Sequence, residues 1–259
     1  KTFYFAGLFL EAKTLDEAAR LYAFCRYIDD IADTSKDPTA SMLKLKAIFE
    51  ELKGTESSNQ LVADFIHLKN STQIDVEAAK SLVTGAISDL NHSQIKDTNE
   101  LIRYCYQVAG TVGIMMCSIL KIRDPNAHKF AIDLGIAMQL TNIARDIHED
   151  AKMNRLYLPQ VWIGNITTEE IKDNHLRTLQ PIAAATEKLL LLADSYYTSG
   201  YSGLIHIPQR SKIAITIAAT VYQAIGITIK KRQFNPFMGR AVVPYRWKLF
   251  YAFKILLRE

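Results

Sequence analysis

The sequence predicts an all-α fold. Three observations carry that expectation. Only 11 glycines and 7 prolines punctuate 259 residues, which leaves few turns. Apolar residues recur at helical spacing through most of the chain, and no stretch alternates apolar and polar residues as a half-buried strand does. Hydrophobic residues make up 49% of the chain, enough for a substantial core. No repeat, low-complexity tract or composition shift divides it, so residues 1–259 are expected to form one domain, a bundle with its site between facing helices. The first residue is Lys1 and not Met, so the native N-terminus is expected to lie upstream.

The spacing predicts helices over 14–33, 38–53, 59–68, 75–90, 98–121, 125–152, 167–172, 180–199, 209–233 and 244–257. The first carries "LYAFCRYIDDIAD" (Leu21–Asp33) and stops at "SKDPT". The second and third are parted by "KGTESSN". The helix over 98–121 holds "YCYQVAGTVG" (Tyr104–Gly113) and ends at "RDPNA". The next contains "LGIAMQLTNIARDIHED" and closes at "NRLYLP", and "SGYSG" ends the helix over 180–199. Each break is a cluster of Gly, Pro, Asn, Asp or Ser, the residues that turns require.

The helix over 209–233 is followed by "FNPFMG" and contains Ile213–Ile229, 17 positions without a charge before Lys230, Lys231 and Arg232. That pattern resembles a minimal membrane span with a positive flank. Thr216, Thr220, Tyr222, Gln223 and Thr228 interrupt it, and a buried helix in a large bundle is the better expectation. The last helix, "YRWKLFYAFKILLRE", mixes basic and aromatic residues. It reads either as a surface that rests on a membrane or as a cap on the bundle.

The net charge of +4 suits an anionic substrate or an anionic membrane surface and is too weak to point to nucleic acid. Cys25, Cys105 and Cys117 form no metal-ligand spacing and read as reduced, buried thiols of a cytoplasmic protein.

Two helices carry the chemistry. At about 100° per residue, Gln139, Asn142, Asp146 and Asp150 fall on one flank with Arg145 and Glu149 beside them. Ile136, Leu140, Ile143, Ala144 and Ile147 fall opposite. Asp146 and Asp150 are one turn apart and repel, so something should offset that cost. Taken alone, the stretch reads equally as a solvated face with an Arg145–Glu149 pair. The first helix repeats the arrangement: Tyr22, Arg26, Asp29 and Asp33 share a face, with Asp30 at one edge. Two D-x-x-x-D helices with arginine and amide neighbours suggest one polyanion site. Carboxylates suit Mg²⁺, which bridges protein oxygens to phosphates, and arginines supply charge-assisted contacts to phosphate oxygens. No P-loop or G-x-G-x-x-G is present.

These motifs resemble the squalene/phytoene synthases, head-to-head prenyl transferases. "YAFCRYIDDIAD" is similar to the family's first aspartate-rich helix, and "LGIAMQLTNIARDIHEDAKMNRLYLP" (Leu134–Pro159) to its second, with a phytoene-synthase-like tail. "YCYQVAGTVG" matches the helix between them, and "KTFYFA" (Lys1–Ala6) the end of an N-terminal substrate motif whose histidine this chain starts too late to show.

The resemblance implies an isoprenoid-synthase helical bundle with a central cavity. It implies Mg²⁺ as cofactor, with Mn²⁺ as a substitute, and no NADPH. Asp29, Asp33, Asn142, Asp146 and Asp150 are the implied metal ligands. Lys1, Thr2, Tyr22, Arg26, Gln139, Arg145, Tyr222 and Arg240 are the implied substrate contacts. The implied partners are prenyl diphosphates. The implied reaction joins two geranylgeranyl diphosphates through prephytoene diphosphate to phytoene. Asp29, Asp33, Asp146, Asp150, Arg26 and Arg145 would carry the catalysis, with Tyr104 as a hydroxyl beside the cation or a satisfied tyrosine at a helix junction. Gly110 and Gly113 cost about 1 kcal/mol each relative to alanine in a helix; room for a prenyl tail and close helix packing explain them equally. Three alternatives stand beside this reading: farnesyl diphosphate as substrate with a squalene or dehydrosqualene product, an inactive member acting as an assembly factor, and a terpene cyclase. Intact aspartate pairs with Arg26 and Arg145 argue against the inactive member.

Overall fold

The computed structural model describes residues 2–33, 37–90, 94–122 and 124–257. Lys1 and Arg258 lie outside the described residues, and nothing is described of the Thr2 side chain. The elements are α1 Thr2–Gly7, α2 Ala12–Asp33, α3 Pro38–Glu51, α4 Gln60–Thr72, α5 Val76–Leu90 and α6 Thr98–Cys105, then a π-turn at Tyr106–Gly110 and α7 Thr111–Ile119. They continue with α8 Pro125–Lys152, α9 Gln160–Ile163, α10 Thr168–Lys172, α11 Leu176–Ser202, α12 Gln209–Lys231 and α13 Tyr245–Leu256. Among the described residues there is no strand.

Local chemistry sets the helix starts. Asp37 precedes Pro38 and accepts from the Thr39 and Ala40 amides at 2.9 and 3.1 Å. Asp124 precedes Pro125 and accepts from the Asn126 amide at 2.9 Å. Both are side-chain N-caps followed by a proline whose missing N–H is no loss in the first turn. The D-P pairs inside "SKDPT" and "RDPNA" are therefore helix starts as much as turns.

Several elements depart from the expected spans, among them the short α9, which no expected helix covers. The helix expected over 98–121 is interrupted by the π-turn. The helix α11 begins at Leu176, so Pro181 lies inside it and does not open it. The short α1 was not expected.

The core has two parts. One gathers buried residues of α2, α3, α4, α5 and α7, with the Phe24 and Phe65 rings stacked 3.8 Å apart. The other gathers α8, α11 and α12 with residues of α1, α6 and α13. The long α8 packs on α7, α11, α12 and the π-turn, and so borders both. Close approach requires glycine here: a Cβ on Gly113 would stand 2.2 Å from the Ala131 carbonyl oxygen, and one on Gly135 2.4 Å from that of Ala109. Of the two explanations for Gly113, close helix packing is the one the structure supports.

Among the described residues α12 is the one helix long and apolar enough to cross a membrane, and 50% of its apolar window is buried inside the protein. It packs against α1, α8, α11 and α13. The cysteines are free thiols, Cys105 and Cys117 buried and Cys25 half-buried.

Candidate active site

The helices α2 and α8 present their charged flanks to one cavity of about 380 Å³. Arg26, Asp29 and Asp33 line it from α2, and Gln139, Asn142, Arg145, Asp146, Glu149 and Asp150 from α8. Tyr104 and Val108 reach it from the end of α6 and the π-turn, and Arg240 from the segment before α13. The opposite side of α8 is buried: Ile136, Leu140, Ala144 and Ile147 pack in the core, whereas Ile143, expected on that side and also buried, borders the cavity. Burial of that stripe fixes the rotation of α8 and aims the carboxylates.

Asp146 sits between two arginines. Arg145 donates from Nε to Asp146 Oδ1 at 2.8 Å and from Nη2 to Oδ2 at 2.5 Å. Arg240 donates from Nε to Oδ1 at 2.7 Å and from Nη2 to Oδ2 at 3.0 Å. Burial alone would raise the Asp146 pKa, but these hydrogen bonds outweigh it and hold the carboxylate below its usual range.

The neighbouring acids go the other way. Burial, reinforced by the Asp33 charge, pushes Asp29 up to about 7. Burial and the Asp146 charge push Asp150 up to about 8. Arg26 is engaged with Asp30 at 2.6 Å on the exposed side of α2.

Several expected residues stand apart from the cavity lining. Tyr22 is 55% exposed and does not line it. Tyr222 is buried on α12, where burial pushes its phenol up, partly opposed by the neighbouring Arg145 charge, and its ring lies 5.1 Å from that of Phe3. It therefore touches the site through Arg145.

Asp89, Arg155 and Tyr157 also line the cavity, although none belongs to the two D-x-x-x-D stretches. The α8 terminus explains how Arg155 arrives. Asn154 adopts the left-handed conformation with φ of 58°. The amides of Asn154 and Arg155 then return to the carbonyls of Ala151 and Asp150, both at 2.9 Å. This Schellman turn reverses the chain and lets Arg155 reach the Asp33 carboxylate and the Ala32 carbonyl oxygen. Asp89 is the lone acid of "SLVTGAISDL" (Ser81–Leu90) near the end of α5; a single carboxylate in so apolar a stretch was the available signal.

A sequence profile described as squalene/phytoene synthase matches residues 1–248. The chain belongs to the squalene/phytoene synthase family. Family members at moderate identity include the 15-cis-phytoene synthase of Pantoea ananas, 33% identical over 245 residues, covering 89% of this chain and 79% of that protein. The phytoene synthase of Rhodobacter capsulatus is 32% identical over 249 residues, covering 93% and 72%. Among solved structures, a dehydrosqualene synthase in complex with ligand superposes with a TM-score of 0.87 at 25% identity, covering 99% of this chain and 91% of that one. The squalene synthase HpnC of Alicyclobacillus acidocaldarius shares the fold, with a TM-score of 0.80 at 19% identity over 91% and 90%. The family fold is thus the helical bundle that α2 and α8 anchor.

The family is generally dependent on a divalent metal, and the donor set of the cavity suits such an ion. The cavity's donors are hard oxygens, six carboxylates against four arginines, a balance that favours added positive charge. Asn142 donates through Nδ2 to Gln139 Oε1 at 3.2 Å, while its Oδ1 is buried with no hydrogen-bond partner among the described residues. A buried acceptor without a donor suits a cation or a hydrated cation. Among the described residues no three acids already converge as a closed metal centre.

Proposed function

We propose that this enzyme condenses two geranylgeranyl diphosphates head to head, through prephytoene diphosphate, to phytoene. One observation carries the reading: two acidic helices and their arginines face a single cavity in a chain whose bacterial phytoene synthase relatives match it over most of its length. The chain is read as one functional unit, because the cavity takes residues from both parts of the core.

In this reading Asp29, Asp33, Asn142, Asp146 and Asp150 hold magnesium, or manganese in its place, and the ion supplies positive charge to the departing diphosphate. Arg145 and Arg240, now committed to Asp146, exchange that carboxylate for diphosphate oxygens when substrate binds. Arg26 adds charge at the α2 side, and Gln139 fixes the Asn142 amide. The donor's C1–O bond breaks as diphosphate leaves, and the acceptor's double bond attacks the allylic cation. Loss of a proton from that donor carbon closes the cyclopropane. Val108, Ile143 and Met153 form the apolar side of the cavity; they lead toward the prenyl tails and keep water from the cation. The exposed aromatic face of α13 is read as a peripheral membrane contact for an apolar product, consistent with a protein on the cytoplasmic side.

Incubation of the protein with Mg²⁺ and either geranylgeranyl or farnesyl diphosphate, followed by product identification, tests this. Phytoene from the longer substrate is the expected result. A C30 product from farnesyl diphosphate alone would favour the activity named for the dehydrosqualene synthase structure. No product from either would defeat the reading.

A further inference from the structure

We propose that Asp89 is the proton-accepting partner of Tyr104, and that together they carry the reaction's proton out of the active-site cavity. The inference rests on the condensation proposed above, in which a proton must leave a buried cation.

The geometry is specific. The Tyr104 hydroxyl donates to Asp89 Oδ2 and the Tyr157 hydroxyl to Oδ1, each at 3.1 Å. The two rings stack with centroids 4.8 Å apart and planes 15° from parallel, so the hydroxyls converge on one carboxylate. Asp89, Tyr104, Tyr157 and Arg155 line the large cavity and also a second, small polar cavity of about 30 Å³ behind it. They therefore form the wall between the two. Such a volume holds about two waters. Arg155 is 8% exposed, and its Nε has no hydrogen-bond partner among the described residues. A donor of that kind facing a polar cavity is the usual setting for an ordered water.

Tyr104 does not ionise on its own, since burial raises its pKa well above the ordinary phenol value. A coupled transfer avoids the phenolate. The Tyr104 oxygen takes the proton from the C–H beside the cation as its own proton passes to Asp89 Oδ2. The C–H electron pair becomes the new carbon–carbon bond, the Tyr104 O–H bond breaks and re-forms, and Asp89 gains one proton. Water in the small cavity then takes that proton and restores the carboxylate. Burial sets Asp89 at about 6 against the opposing pull of Arg155, which leaves it ionised at neutral pH yet able to accept a proton in passing. Asp89 acts through Tyr104 and is in that sense a positioning residue, while Tyr104 meets the substrate.

The test compares Asp89→Asn with wild type on geranylgeranyl diphosphate, with and without deuterium at C1. The amide still accepts a tyrosine hydroxyl bond but takes no proton. Expected are a kcat lower by about 100-fold, a little-changed KM, and a larger slowing by deuterium than in wild type. A kcat near that of wild type overturns the relay, and so does a rate loss without an enlarged isotope effect, which marks a structural role. If Asp89→Asn fails to fold by circular dichroism, Tyr104→Phe carries the same expectation, and wild-type rate and isotope effect in that variant overturn the relay. Absence of any wild-type product overturns the condensation reading and the relay with it. Wild-type turnover beside an unaffected variant overturns the relay alone.

Discussion

Arg155 donates from Nη1 to the Asp33 carboxylate, tying the turn after α8 to the last turn of α2. Its Nη2 also donates to the Ala32 carbonyl oxygen at 3.0 Å. One side chain thus satisfies the end of a helix in one part of the core from a turn built on the other. The Arg155 side chain is 8% exposed and that of Asp33 31%, so the pair is only partly screened. Replacing Arg155 by methionine leaves Asp33 without its cation. The expected loss is about 3 kcal/mol, at the low end for breaking a buried pair because Asp33 keeps solvent access. Urea denaturation measures it, and an unchanged midpoint would mean the pair contributes nothing net.

Asp29 and Asp146 stand on opposite sides of the cavity and differ in proton affinity, one raised by burial and one lowered by its arginines. If both serve the ion, Asp29→Ala and Asp146→Ala each reduce kcat/KM by at least about 100-fold, the upper end of what outer-shell losses cost. Isothermal titration with Mg²⁺ and inorganic pyrophosphate should show weakened binding in the same variants. Full activity in both would remove the metal assignment and leave the fold untouched.

The acids also predict how stability without metal depends on pH. Asp89, Asp29 and Asp150 sit at about 6, 7 and 8 in the folded protein, above the roughly 4 of an unfolded aspartate. Between those values the native state binds more protons than the unfolded one, so stability is greatest at the acid end and falls as pH rises. Asp146, with its lowered pKa, contributes the opposite slope only below about pH 4. Thermal melts in chelator should therefore lose roughly 5 °C between about pH 5.5 and 8.5. Mg²⁺ with pyrophosphate should flatten that decline, because it takes the place of the bound protons. A melting temperature that rises with pH in chelator would contradict the charge arrangement.

Much of this was legible in the sequence, for identifiable reasons. The α2 and α8 flanks were readable because Asp29 and Asp33, and Asp146 and Asp150, repeat at helical spacing on helices whose other faces are apolar. Periodicity reports that directly. Asp89 and Arg155 were not readable in this way. Asp89 has no helical partner of its own kind, and Arg155 reaches Asp33 only because Asn154 turns the chain back, a tertiary consequence of one left-handed residue. The turn that "NRLYLP" predicts is present at Asn154, but the same six residues also deliver Arg155 and Tyr157 to the cavity. The π-turn at Tyr106–Gly110 was hidden too, since it preserves the apolar pattern of the α-helices on either side.

Gly113 separates two ideas about the glycines near the site. If it only lets α7 and α8 approach, Gly113→Ala forces a Cβ toward the Ala131 carbonyl oxygen, 2.2 Å away. Overpacking of that kind against backbone costs about 3 kcal/mol. The expected outcome is a lowered denaturation midpoint with the product unchanged in chain length. A stable variant with a shortened product would instead assign Gly113 to the tail.

The last helix separates a bundle cap from a membrane contact. Lys248 and Ala252 of α13 are buried, whereas Trp247, Phe250 and Phe253 are 45%, 50% and 62% exposed. The exposed aromatics follow helical spacing, with Arg246 and Lys254 at either end of the stretch, as a helix lying on an anionic surface requires. Deleting α13 would also strip the packing of Ala252, so substitution is the cleaner experiment. Phe250→Ser with Phe253→Ser removes apolar area worth roughly 1.5 kcal/mol per ring if both enter the lipid. Cosedimentation with vesicles containing anionic phospholipid should then weaken by roughly 100-fold, with the melting temperature unchanged. Equal binding by wild type and the double variant would leave α13 as a cap on α12 and send the product out by another route.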